Sequence, residues 1–144
     1  MTLNLGQQTQ LPPTVILGED KVLNVQVNQI TQDNCGNDCT QPLDISAATQ
    51  IVAIFQNADL SFLYKKLSLS QIAITSGPFG RFSITLLAAD TALLAPSPGP
   101  QPGCCGGGYS AIEIHLTIAG QETIINLPNS VNIVPRQFPT STNP

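Results

Sequence analysis

The residues best suited to chemistry in this chain are four cysteines, which lie in two polar segments rich in glycine or proline. Cys35 and Cys39 lie in TQDNCGNDCTQP (31–42), and the adjacent Cys104 and Cys105 lie in PSPGPQPGCCGGG (96–108). The first pair loosely fits one half of a structural zinc site, whereas two adjacent side chains cannot easily converge on one tetrahedral ion. Adjacent cysteines also rarely bridge each other, because the peptide between them is too short for relaxed disulfide geometry. They could readily bridge to two cysteines on a facing loop.

Other catalytic or ligand-binding constellations are weak. A Cys–His nucleophile pair needs a general base, and the only histidine, His115, lies on the predicted polar face of a strand, IEIHLTI. Glu113 shares that face, but one carboxylate beside one imidazole is a weak metal signal. GED (18–20) is a turn rather than a calcium loop, and GCCGGG (103–108) lacks the lysine and following helix of a phosphate-binding loop. We therefore predict a non-enzymatic protein without cofactor or metal.

Alternation of apolar and polar residues with a period of two dominates the chain, and such runs predict strands with one buried face. The strands expected from it cover 23–27, 49–56, 61–69, 72–75, 82–86, 112–118, 122–127 and 131–134. QNADLS (56–61) and IAGQET (118–123) are predicted hairpin turns, and only AADTALL (88–94) predicts a short helix. Seven or eight short strands without a long helix predict an all-β, immunoglobulin-like antiparallel β-sandwich. A small closed barrel is the alternative.

The placement of the two cysteine segments depends on how many strands separate them. If 72–75 is a strand of its own, an even number of strands lies between them, and both segments emerge at the same end of the sandwich. If 72–75 merely extends its neighbour, they emerge at opposite ends. We predict the first arrangement, which favours disulfides between the two segments once the protein leaves the reducing cytosol. Free thiols and a metal site are the alternatives.

The chain carries few charges. Charged residues make up 10% of the sequence, against about 25% in an ordinary soluble domain, and the net charge is −4. The five basic residues are scattered, which argues against a nucleic-acid-binding protein. Surfaces poor in charge are typical of protein interfaces, so we expect other proteins and further copies of this chain as partners. A neutral β-domain that is simply soluble is the alternative.

The two ends of the sequence differ from the middle. We predict an extended arm over 1–13, a domain over 14–135 with loop insertions at 31–42 and 96–108, and an extended tail over 136–144. MTLNLGQQTQ lacks the basic and apolar regions of a secretory signal, and no apolar run approaches the roughly 20 residues that span a bilayer. We therefore expect synthesis in a cytosol, no export by the general secretory route and no membrane partner.

Several of these segments together resemble a known family. LGEDKVLNVQV (17–27), PLDISAATQIVAIFQNADLSFLYKKLS (42–68), ITSGPFGRFSITLLAADTALL (74–94), IEIHLTIAGQETIINL (112–127) and VNIVPRQF (131–138) are similar to the immunoglobulin-like N-terminal domain of the baseplate upper protein family of tailed phages. One departure is Leu60, which stands where the hairpin pattern has glycine. The cysteine segments are additions to that pattern.

The resemblance implies a virion protein made in the host bacterial cytoplasm, because members of that family anchor fibres or receptor-binding proteins to the particle. We expect a small adaptor or decoration protein that joins tail, baseplate, fibre or capsid components through its polar sheet faces, arms and loops. The alternative is a surface-recognition module that binds a host glycan or receptor through the long loops.

Overall fold

The computed structural model describes residues 2–4, 13–97 and 110–135, with the backbone alone for 2–4 and 128–129. The predicted all-β, antiparallel fold is confirmed for these residues. In chain order the strands are β1 (Thr2–Asn4), β2 (Thr14–Ile16), β3 (Lys21–Gln26), β4 (Asn28–Gln32), β5 (Asp38–Pro42), β6 (Ala48–Gln56), β7 (Phe62–Lys66), β8 (Ile72–Ser76), β9 (Arg81–Leu86), β10 (Ser110–Ile118) and β11 (Gln121–Val134). A 3₁₀ turn (Leu67–Leu69) follows β7, and α1 (Ala88–Thr91) follows β9. No helix in the described part of the chain is long and apolar enough to cross a membrane.

Two sheets of five and three strands enclose one apolar core. The larger has the order β2-β11-β10-β6-β7 and the smaller the order β3-β9-β8. All neighbouring strands are antiparallel except β2 and β11, which are parallel. Alternate residues of each strand point inward, as Ile112, Ile114 and Leu116 of β10 do against Phe82 and Ile84 of β9. Burial of these alternating side chains is the main driving force that holds the two sheets together.

This strand order can be compared with that of immunoglobulin domains. If β3, β6, β7, β8, β9, β10 and β11 are assigned to immunoglobulin strands B, C, C′, D, E, F and G, the sheets become B-E-D and G-F-C-C′. That division of strands is the one that immunoglobulin domains adopt. The strand predicted at 72–75 is separate, as β8, and the strand predicted at 61–69 divides into β7 and the 3₁₀ turn.

The first cysteine segment is more regular than expected. The sequence predicts a loop over 31–42, but the structure forms a hairpin of β4 and β5 in which Thr31 pairs with Cys39. The Asp33 carboxylate closes the turn by accepting the N–H groups of Cys35 and Asn37, each at 2.9 Å. These local hydrogen bonds and the backbone hydrogen bonds between β4 and β5 stabilise the hairpin in place of a buried apolar face. Because its residues are mostly polar, the alternation of apolar and polar residues does not predict it. Within the predicted arm 1–13, β1 adds to the hairpin as a third strand, while residues 5–12 lie outside the described part.

The prediction that both cysteine segments emerge at one end of the sandwich is wrong. The β4–β5 hairpin extends from the sandwich between Val27 and Leu43. The N–H of Leu43 donates to the carbonyl of Val27, and the N–H of Val27 donates to the carbonyl of Gly80, in the turn between β8 and β9. Ser97 and Ser110, which flank the second segment, lie at the other end, where Ala95 bonds to Gln56. Counting strands fails because β7 and β8 run in the same direction. The chain crosses from one sheet to the other between them instead of turning back in a hairpin.

A buried lysine points inward from the edge strand β7. Lys65 is 4% exposed, and its ammonium lies 2.5 Å from the carboxylate of Asp90 in α1. Asp90 also accepts the N–H of Leu87 at 2.9 Å, so it caps the short helix from its third position rather than from the first. Burial raises the pKa of Asp90, but the hydrogen bond and charge of Lys65 and the bond from Leu87 outweigh it and hold the pKa below the usual value. The ion pair holds α1 against β7. An inward-pointing charge on an edge strand also disfavours pairing of that edge with a strand of another molecule.

Replacing Gly80 by alanine should destabilise the fold strongly. Gly80 has a positive φ of 67°, and a Cβ there would meet the carbonyl oxygens of Val27 and Leu43. Gly36 is the matched control, since its φ is 82° but nothing lies within 4 Å of an added Cβ. We expect Gly36→Ala to lower the free energy of unfolding by about 1 kcal/mol from strain alone, and Gly80→Ala by about 3 kcal/mol or more. Urea unfolding measures both, and equal losses would contradict the close contact.

Asp90→Asn should destabilise the protein in a pH-dependent way. At pH 7 it leaves the buried Lys65 ammonium without its anion, and we expect a loss of about 3 kcal/mol. Because the pKa of Asp90 is lowered on folding, its contribution exists above the unfolded pKa of about 4 and disappears as the pH falls through the folded value. The gap between the native protein and Asp90→Asn should therefore narrow in urea titrations as the pH falls below about 4. A gap that is equally large at pH 7 and pH 2.5 would contradict the assignment, and Lys65→Met, which removes the charge and keeps the volume, should cost less.

Candidate interaction surface

The cysteines that the structure describes form no chemical centre. Cys35 is exposed, Cys39 is partly buried, and both are free thiols on the β4–β5 hairpin. Cys104, Cys105 and the neighbouring Tyr109 lie outside the described residues, so the predicted disulfides stay a prediction. Since the bases of the two segments lie at opposite ends of the sandwich, the geometric reason for pairing them within one chain no longer holds.

The predicted Glu113 and His115 are brought together, and a third residue joins them. The Nε2 atom of His115 lies 2.6 Å from the Glu113 carboxylate, and its Nδ1 atom lies 3.6 Å from that of Glu122 on the neighbouring strand. The sequence did not single out Glu122, because it reaches His115 only through the β10–β11 register. Within residues 13–97 and 110–135, no group of three or more His, Cys, Asp and Glu side chains is arranged to hold a metal ion. The arrangement is a polar cluster on an open sheet face, suited to hydrogen bonds with a partner.

One cleft among the described residues lies between β3 and β11, on the other side of the sheet from His115. Its lining is mostly apolar and includes Leu23, Val25 and Ile112. Its volume is about 20 Å³, which holds about one water molecule. The cleft is too small for a substrate.

The outward side chains of β11, β10, β6 and β7 form a surface that we call the outer face. Cross-strand pairing arranges them in rows, because directly paired residues point to the same side of a sheet. The two central rows are Ile124, His115, Val52 and Lys66, and Asn126, Glu113, Ile54 and Tyr64. Gln50, Thr117 and Glu122 form a row on one side, and Gln56 and Phe62 form a row on the other.

The outer face is more apolar than the sequence analysis expects. Phe62 is 55% exposed, Tyr64 51% and Ile124 58%, while Val52 and Ile54 between them are half-buried. The prediction of polar sheet faces therefore describes this sheet only in part, because apolar side chains lie among the polar ones. A signal was present in the sequence, since ATQIVAIFQ of β6 contains five consecutive apolar residues, a pattern typical of strands that are covered on both faces.

An exposed leucine borders this surface at the β6–β7 hairpin. Leu60 is 73% exposed and has a positive φ of 71°, a conformation that costs a residue with a Cβ about 1 kcal/mol. The neighbouring Ala58 bonds to Leu93, which is 63% exposed. A large apolar side chain held outward by a strained backbone is unfavourable in the isolated molecule.

Replacing Leu60 by glycine should stabilise the isolated protein. Glycine adopts the positive φ without strain, and little burial is lost because the leucine is mostly exposed. We expect a gain of up to about 1 kcal/mol in the free energy of unfolding, reduced by the greater freedom of glycine in the unfolded chain. Leu93→Gly is the control, since Leu93 is similarly exposed without a positive φ, and it should give no gain. A loss of stability in Leu60→Gly, measured by urea unfolding, would contradict the strain assignment.

Comparison with known proteins gives no independent identification. No protein-family model matches the sequence, and no curated protein matches it significantly. The likeness to phage baseplate proteins therefore depends on the sequence motifs alone.

Proposed function

We propose that this chain is a non-enzymatic structural protein of a tailed-bacteriophage virion, which joins neighbouring virion proteins through its outer face. The observation that carries the proposal is the exposed apolar surface of β6, β7 and β11 on a chain with only 10% charged residues. The phage context is supported by the motif resemblance. The segments 1–13 and 136–144 would add further contacts with neighbours.

The physical argument is that the outer face is better suited to a protein neighbour than to water. Covering the exposed halves of Phe62, Tyr64 and Ile124 would contribute about 1 kcal/mol each. Aromatic side chains are enriched in interfaces. The polar groups of His115, Glu113 and Glu122 can bond to a partner, so that burial leaves few polar atoms unsatisfied.

β7 offers a second kind of contact. It is the last strand of the larger sheet, with its other edge unpaired among the described strands. An extended segment of a neighbour can add to such an edge through backbone hydrogen bonds. The inward Lys65 makes indiscriminate pairing at this edge less favourable, and Phe62 and Tyr64 would select the partner by its side chains.

The test is the composition of purified particles from the phage that encodes the chain. We expect mass spectrometry to find the protein in virions after density-gradient purification, at a fixed copy number relative to the other structural proteins. Its presence in the infected lysate combined with its absence from complete particles would overturn the proposal.

Ile124→Glu should reduce the amount of protein in those particles. A carboxylate in a covered apolar surface loses hydration without gaining a partner, and we expect the copy number to fall at least about tenfold. Thr85→Glu on β9 is the matched control, because Thr85 is also exposed but faces outward from the smaller sheet. Quantitative mass spectrometry of virions measures both, with thermal unfolding to verify that each variant folds. Equal incorporation of the two variants would show that the outer face is not the contact.

A further inference from the structure

We infer that the outer face binds a second copy of this chain through a two-fold axis that lies across the strands. The inference deepens the proposed function and rests on it only in naming one of the neighbours. The register of the four strands fixes what each outward side chain would meet in a symmetric pair.

In a two-fold interface the same surface is used by both molecules, so a residue that contacts a second residue is contacted by that residue in return. We place the axis in the plane of the outer face, perpendicular to the strands and between the two central rows. Rotation about it brings each residue of one row over the residue of the other row on the same strand of the second copy. Val52 then lies over Ile54 of the other copy, His115 over Glu113, and Lys66 over Tyr64. These three contacts pair an apolar residue with an apolar one, an imidazole with a carboxylate, and a cation with an aromatic ring. On β11 the same axis places Ile124 over the Asn126 amide.

The other two-fold orientation is poorer. An axis along the strands, between β10 and β6, exchanges residues within each row. It would place Ile54 over Glu113 and Val52 over His115 of the other copy, so a carboxylate and an imidazole would each be covered by an aliphatic side chain. Burying these polar groups against aliphatic carbon is unfavourable. Of these two axes, the arrangement of charge and apolar surface favours the one across the strands.

The size of the outer face limits how strongly two copies are expected to associate. Four strands are about 15 Å wide, and the outward residues of β6 extend along about 20 Å. This footprint is below the roughly 800 Å² per partner of a standard stable interface, so a weak and reversible dimer is expected. Attachment of many copies to one particle would raise the local concentration and favour the pair there.

Sedimentation velocity on the purified full chain tests the inference. The mass of one chain is 15.2 kDa, and the weight-average mass should rise toward twice that value between about 10 µM and 1 mM. Ile54→Glu, at the centre of the face, should weaken association at least tenfold. Ser83→Glu is the control, because Ser83 is the outward residue at the centre of the smaller sheet, and it should leave association unchanged. Circular dichroism and thermal unfolding establish that both variants fold.

A charge exchange tests the orientation. Glu113→Lys should weaken the dimer, because a lysine would face His115 of the other copy, and the double variant with His115→Glu should restore it. Dimers of the native protein that Ile54→Glu does not weaken, or a double variant that is no better than Glu113→Lys, would overturn the inference.

The dimer test and the particle test can fail independently of each other. A native chain that is monomeric at 1 mM yet present in virions would overturn the self-pairing and leave the structural role, with a different virion protein on the outer face. A dimer that is absent from virions would overturn the virion role and leave the pairing.

Discussion

The structure depends on one constraint, the burial of alternate side chains from two sheets in a common apolar core. Every strand of the sandwich gives one face to that core, so its other face must be accounted for separately. On the smaller sheet the outward positions of β9 are the polar Arg81, Ser83 and Thr85, and Val22 of β3 is an exposed apolar residue beside Thr85. On the larger sheet Val52 and Ile54 are apolar, and the core cannot reach them. The difference between the two sheets points to a partner for one of them.

The low number of charged residues can be related to where charged and apolar side chains lie on the surface. Three of the exposed apolar side chains, Phe62, Tyr64 and Ile124, lie on the outer face, while others, such as Val22, Phe79 and Leu87, lie elsewhere on the surface. The inward Lys65, paired with Asp90, shows that a charge in this chain can be committed to a structural task instead of solvation. The positive φ of Leu60 adds a local strain of about 1 kcal/mol.

A combination of the proposed pairing and the free edge of β7 would give one small domain two distinct contacts. The outer face would bind a copy of the chain, and the edge could add a strand from another protein. Such a division suits a structural component that links neighbours within a larger assembly. The polar cluster of His115, Glu113 and Glu122 would then serve orientation, since a flat apolar face alone does not define how two sheets are turned relative to each other.

The sequence by itself determined the all-β class, most strands of the sandwich, the hairpin turns and the short helix, because periodicity and turn chemistry act over a few residues. Only the tertiary structure decided which outward residues form one surface, since Ile124, Val52 and Tyr64 become neighbours through strand register across distant parts of the chain. It also placed the cysteine segments at opposite ends, because a crossing between sheets after β7 reverses the result of counting strands. Such long-range pairings depend on the whole core and are not encoded in any single segment.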